Sequence, residues 1–260
     1  MADRHKRHTH REHHSEPRPQ APRQSGLWLY GLHAARAALA NPRRRVLRAV
    51  MTERAAEEIG APLLGRVRHE MAQTEQVSRL LPPGAVHQGV ALQVERLPQR
   101  NLADVLGGKS ERRRVVLVLD QISDPHNAGA ILRSAAAFGV TAVIVQDRNA
   151  PDESGVLAKA ASGALDAVPY IPVVNIARAL DELGKHEFWR VALAGDGQMP
   201  LPEAAGTGDI ALVLGSEGSG IRRLVRERCD ASAFIPMDGA MESLNVSNAA
   251  AIALYELRRA

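Results

Sequence analysis

From Val115 onward, short and mostly apolar runs alternate with segments whose apolar residues recur at helical spacing. The runs Val115–Leu119, Ala142–Val145, Val168–Ile171, Trp189–Ala194, Ile210–Leu214 and Ala233–Ile235 read as buried strands. Between and after them, Ala128–Phe138, Asp152–Ala161, Ile176–Lys185, Ile221–Glu227 and Val246–Arg258 read as helices. Apolar strands interleaved with helices predict an α/β fold whose parallel sheet is covered on both faces. In the last helix Val246, Ala249, Ala250, Ala253, Leu254 and Leu257 share one stripe, suited to packing on the sheet or on a second subunit.

The preceding residues form a separate, smaller pattern. Gly31–Ala40 predicts a short helix closed by Asn41-Pro42, Arg45–Met51 a strand, and Glu53–Met71 a helix interrupted near Gly60-Ala61-Pro62. The turn Pro82-Pro83-Gly84 leads through Gly84–Gly89 into the strand Val90–Val94. This is a small α/β module of domain-like character. The chain therefore divides into a tail (1–25), an amino-terminal module (26–97), a polar, arginine-rich linker (98–113) and a larger domain (114–260). In the tail His5, His8, His10, His13 and His14 lie among Arg, Lys, Glu and Pro with almost nothing to bury, which predicts a disordered basic segment with weak RNA affinity.

Composition adds a polyanion partner and removes other classes. Aromatic residues are only 3% of the 260, so the core must be built from Ala, Leu and Val. Arginines cluster at Arg43–Arg45, Arg112–Arg114, Arg222–Arg223 and Arg258–Arg259 within a formal net charge of +4, the electrostatic footprint of a nucleic-acid binder. The single cysteine, Cys229, excludes an internal disulfide framework. No apolar stretch approaches a membrane span and the charged, His-rich start has no apolar leader core, so a cytoplasmic location is expected.

The candidate chemistry lies in three polar, glycine-containing blocks just beyond predicted strands: Asp120–Arg133 (DQISDPHNAGAILR), Leu214–Ile221 (LGSEGSGI) and Ile235–Ser247 (IPMDGAMESLNVS). Loops at the carboxyl ends of parallel strands are where α/β proteins bind ligands, so the three blocks predict one site. Other motifs fail on context. Ala103–Ser110 approaches a phosphate-binding loop and Gly206–Ala211 a dinucleotide fingerprint, yet both lead into a strand instead of following one. His87 and His126 have no partnered Ser or Cys at interpretable spacing. No His/Cys/Asp/Glu cluster has metal-ligand spacing, and no metal is expected.

In these blocks Asn127-x5-Arg133, then Leu214-Gly215-Ser216-Glu217-Gly218, then Ser243-Leu244-Asn245-Val246-Ser247 resemble the three motifs of the SpoU (TrmH) class of SPOUT RNA 2'-O-methyltransferases. The resemblance extends from Tyr30 onward. Gly84–Gly89 (GAVHQG) and Tyr30-Gly31-Leu32-His33-Ala34 are similar to the RNA-binding domain of the subgroup that methylates a guanosine in bacterial large-subunit rRNA. The resemblance implies a trefoil-knotted SPOUT domain, a ribosomal-protein L30e-like substrate-binding module, a homodimer with its site across the subunit interface, and S-adenosylmethionine as cofactor. It places the cofactor against Leu193, Gly195, Gly215, Ile235 and Leu244, with Gly215, Gly218 and Gly220 allowing close backbone approach.

It also assigns Asn127, Arg133, Glu217, Ser243 and Asn245 to the catalytic set. Arg133 follows Asn127 by six residues, within two turns of one helix, and its neighbours Ala130, Ile131, Ala136 and Ala137 suggest an apolar face. A guanidinium keeps its proton and is a poor base, so clamping phosphate and orienting the hydroxyl is the preferred role. Glu217 could accept from Arg133 or the ribose, or be an acid favoured at a helix N-terminus. Ser243 and Asn245 would shape the loop before the last helix, with Asn245, like Asn127, also a plausible cap. A tRNA or other rRNA site, including antibiotic-resistance methylation, and a catalytically silent RNA-binding or ribosome-assembly role remain the alternatives.

Overall fold

The computed structural model describes residues 26–108, 110–239 and 243–259. The expectations for the tail lie outside them. The described residues begin with β1 (Leu27–Tyr30), α1 (Leu32–Ala40), β2 (Val46–Met51), α2 (Glu53–Ile59), α3 (Ala61–Leu64), β3 (His69–Met71), α4 (Thr74–Ser78) and β4 (Val90–Val94). These strands form a sheet of order β1-β4-β2-β3, parallel only between β2 and β3. The helix expected over 53–71 is corrected here. Gly60, at φ +89, ends α2, and His69–Met71 leaves the helix to pair along the exposed edge of β2.

The expected linker is not featureless either: α5 (Leu102–Leu106) buries Val105 and Leu106. Beyond it follow β5 (Val115–Asp120), α6 (Pro125–Ala137), β6 (Ala142–Gln146), α7 (Gly155–Ala160), α8 (Ala164–Ala167), β7 (Tyr170–Val173) and α9 (Ile176–Lys185). The chain then runs through β8 (Trp189–Leu193), β9 (Met199–Pro200), α10 (Leu201–Ala204), β10 (Ile210–Gly215), α11 (Arg223–Arg226), β11 (Ala231–Phe234) and α12 (Val246–Arg259). Seven strands make one sheet of order β7-β6-β5-β10-β8-β11-β9, every pairing parallel.

Alternation along β5 distributes the core to both faces, because successive strand side chains point opposite ways. Val115, Leu117 and Leu119 pack with α6 and α12, and Val116 and Val118 with α9. The predicted stripe of α12 is buried at Val246, Ala250, Ala253, Leu254 and Leu257. With all strands parallel, the carboxyl ends of β5, β8, β10 and β11 open on one edge, and the three polar blocks start there. No helix among the described residues is long and apolar enough to cross a membrane.

Candidate functional site

At that edge lies a pocket of about 340 Å³, inside the usual size range of small-molecule sites. Its walls are Leu193–Asp196 after β8, Leu214–Ile221 after β10, and Ile235, Met237, Ser243 and Leu244 after β11, closed by Arg226, Val246 and Ala249. Most of this lining is backbone, glycine and aliphatic side chain, a surface suited to an amphiphilic ligand.

The loop after β10 is folded back on itself. Ser216 and Gly220 form an antiparallel bridge, and the Ser216 and Ser219 hydroxyls lie 2.8 Å apart. A Cβ on Gly215 would overlap the Gly220 backbone and the Ile221 nitrogen. Gly220 takes φ +65, a value that favours glycine. Gly215 is therefore required first by its own loop, whereas a Cβ on Gly218 would meet nothing.

Glu217 ties the three sequence blocks together. Its Oε1 accepts from Asn245 Nδ2 at 2.5 Å, Asn127 Nδ2 at 3.3 Å and the Val246 backbone nitrogen at 3.3 Å. Asn245 Nδ2 also donates to Asn127 Oδ1 at 3.0 Å. Glu217 is thus an acid at a helix N-terminus, that of α12, where both the orphan backbone donors and the helix dipole favour it. Asn245 caps the same helix, its Oδ1 accepting from the Ser247 nitrogen at 3.0 Å.

Two ion pairs brace the rim. Asp120, fully buried at the end of β5, accepts from the Arg222 backbone nitrogen and Nε, each at 2.8 Å. This fixes the exit of the β10 loop to the neighbouring strand. Asp196 accepts from Arg226 at 2.7 Å, and that bond holds the Asp196 carboxyl below its ordinary pKa, so the pocket's acidic wall stays ionised.

The five cofactor residues named from the sequence, Leu193, Gly195, Gly215, Ile235 and Leu244, all line the pocket, as do Glu217 and Ser243. Asn127 and Asn245 stand beside it through Glu217. Of the readings left open for Glu217, the acid at a helix N-terminus is the one seen within this chain, with the two asparagines and the Val246 nitrogen as its donors. Two expectations are corrected. The cap of α6 is Asp124, bonded to the nitrogens of His126 and Asn127, so Asn127 is free to reach Glu217. Arg133 does not share the apolar face of α6. That face is Ala128, Gly129, Ile131, Leu132 and Ala135, and Arg133 is exposed with Ala136 and Ala137, outside the pocket lining.

His87 does have a serine partner, Ser78, 2.9 Å from its Nε2, while its Nδ1 accepts from the Gly89 nitrogen at 3.1 Å. It is buried and braces the 84–89 turn. Sequence reasoning missed Asp120, Arg222, Asp196 and Arg226. A carboxylate closing an otherwise apolar strand was the available signal for Asp120. The others become visible only once separate loops meet.

The chain is similar to the 23S rRNA (guanosine-2'-O-)-methyltransferase RlmB of Haemophilus ducreyi, at 39% identity over 89% of this chain and 96% of that protein. A second relative of that name, from Xylella fastidiosa (strain Temecula1), is 40% identical over 89% of this chain and 96% of its own. Among solved structures, the SpoU methyltransferase AviRb of Streptomyces viridochromogenes, in complex with AdoMet, shares the fold at a TM-score of 0.76 and 23% identity, covering 90% of each chain. The model of the SpoU rRNA methylase family matches residues 114–255, more than half of the chain, and the protein belongs to that family.

Proposed function

We propose that this chain transfers a methyl group from S-adenosylmethionine to the ribose 2'-hydroxyl of a guanosine in large-subunit rRNA. The carrying observation is that the loops after β8, β10 and β11 converge on one pocket, clasped at its rim by Asn127, Glu217 and Asn245. Relatives named as 23S rRNA guanosine methyltransferases match almost the full chain, the amino-terminal module included, which favours their substrate class over tRNA.

The pocket fits the cofactor on its own chemistry. Its volume, its aliphatic walls at Leu193, Ile235 and Leu244, and its exposed backbone groups suit an adenosyl moiety, and Asp196 and Arg226 offer both charges to an amino-acid end. When bound, the cofactor supplies a methyl carbon activated by its sulfonium. The protein's part is to hold the acceptor oxygen in line with that carbon and to exclude water, so positioning supplies much of the rate.

Arg133 serves the acceptor side in this reading. It is exposed on α6, its side chain makes no hydrogen bond to a described residue and it lies outside its own pocket's lining, so it is available to RNA at the site of a second copy. Exposed Ala136, Ala137, Ile252 and Tyr255 support pairing of α6 and α12 in a homodimer. Always charged, the guanidinium clamps a phosphate and orients the hydroxyl, and the proton leaves to phosphate or water. Ser243 and Asn245 shape the wall before α12. The trefoil threading is part of this reading, and residues 26–97 are read as the substrate-binding module, joined through residues 98–113 to the methyltransferase domain, residues 114–260.

The test is to incubate the purified chain with a 23S rRNA transcript, a tRNA pool and methyl-labelled S-adenosylmethionine. Label in one guanosine ribose of the rRNA is expected. Label confined to tRNA, or none in either, would overturn the reading.

A further inference from the structure

The amino-terminal module is joined to the methyltransferase domain by more than its linker. Arg44, in the turn before β2, has a wholly buried side chain and reaches across to the other domain. Its Nε and second terminal nitrogen form a fork on Asp166 at 2.9 and 3.1 Å, and its other terminal nitrogen bonds Glu153. The Glu95 carbonyl accepts from Arg44 at 3.1 Å and anchors it in its own module. Asn41 Nδ2 also donates to Asp166, at 3.0 Å.

The segments that resemble the RNA-binding subgroup lie along the same seam. Lys159 of α7 donates to Gln88 Oε1, and the Leu32 nitrogen donates to that oxygen at 3.3 Å. Gly31, at φ +89, is covered by the Lys159 side chain, where a Cβ would approach Nζ to 2.6 Å. Gly163, at φ +93, leaves no room for a Cβ beside Ala37. Ala34, Ala35 and Ala38 share one core with Leu157, Ala158 and Ala161. Gln88, itself exposed, thus bridges its own module and the other domain through Oε1, and within its turn Val86 is 68% exposed.

We propose that Arg44, Lys159 and Gln88 are positioning residues: they lock the module in one orientation on the methyltransferase domain, and this orientation, in place of a base contact by Gln88, sets which ribose reaches the pocket. The proposal rests on the reading that the chain methylates RNA held partly by the module. Arg44→Ala would leave the buried Asp166 carboxylate without its charged partner, bonded only by the Asn41 side chain, and parting the domains is the way to rehydrate it. Arg44→Ala/Asp166→Ala removes that cost.

The test compares the intact chain with Arg44→Ala, Arg44→Ala/Asp166→Ala, and the milder Lys159→Met and Lys159→Arg. Three readouts are taken: hydrogen exchange over residues 28–38 and 155–164, cofactor affinity, and the site and kcat/KM of rRNA methylation. Arg44→Ala should speed exchange at the seam by about tenfold or more, leave cofactor affinity unchanged, lower kcat/KM and spread methylation to neighbouring riboses. The double variant should recover part of all three, because no buried carboxylate is stranded, while staying short of the intact chain, and Lys159→Arg should retain what Lys159→Met loses. An opened seam with unchanged selectivity and kcat/KM would overturn the proposal, as would unprotected exchange at the seam of the unaltered chain. Failure of the unaltered chain to methylate any RNA would instead overturn the functional reading, and with it the claim about ribose choice, whatever the exchange shows.

Discussion

Asn245 Nδ2 lies 2.5 Å from Glu217 Oε1, joining two loops that are separate in sequence at the mouth of the pocket. With Asn127 and the Val246 nitrogen added, one carboxylate satisfies three donors. Glu217→Ala strands those donors and should lower stability by about 1–2 kcal/mol, discounted by the exposure of the site. Cofactor affinity should fall with it, because the pocket wall from Ser243 to Val246 loses its anchor. Denaturant midpoints and calorimetric titration check this, and an unchanged midpoint would show that the clasp carries no weight.

Arg133→Ala should behave in the opposite way. An exposed helix residue outside its own pocket contributes within about 0.5 kcal/mol to folding, and cofactor affinity should stay as it is. Methyl transfer should drop by about a hundredfold or more, as when an electrostatic contact to a transition state is removed. Parallel loss of cofactor binding would place Arg133 on the wrong side of the reaction.

Gly215→Ala and Gly218→Ala separate two reasons for glycine. The first puts a methyl into the Gly220–Ile221 backbone and should cost about 1–3 kcal/mol as well as cofactor affinity. The second meets open space and should leave stability within about 0.5 kcal/mol. A drop in cofactor affinity for Gly218→Ala alone would locate the ligand against that backbone.

The parallel sheet was legible because strands buried on both faces read as unbroken apolar runs, and Val115–Leu119 or Ile210–Leu214 admit little else. Pocket residues such as Gly215 and Leu244 were legible through motifs at strand ends. Arg133 was misjudged because alanine neighbours do not say which side of a helix faces the core. His69–Met71 was misjudged because its exposed edge strand carries no apolar alternation. The Asp120–Arg222 and Arg44–Asp166 pairs span more than one hundred residues of sequence, and no local pattern announces them.

Asp120 and Arg222 should prove unequal. Arg222→Ala leaves a fully buried carboxylate with one backbone donor and should destabilise by about 3–5 kcal/mol. Asp120→Asn keeps an acceptor for a guanidinium that is partly in water and should cost only about 1–2 kcal/mol. Equal losses in chemical denaturation would contradict this account of the rim.

Methylation of one guanosine ribose in large-subunit rRNA by this chain is tested most directly by a map of 2'-O-methyl riboses in rRNA and tRNA from cells lacking the protein. One 23S rRNA guanosine should lose its methyl group, the intact gene should restore it and the Arg133→Ala form should not, and tRNA should be unchanged. An unaltered rRNA map, or a methyl group lost only from tRNA, would contradict it.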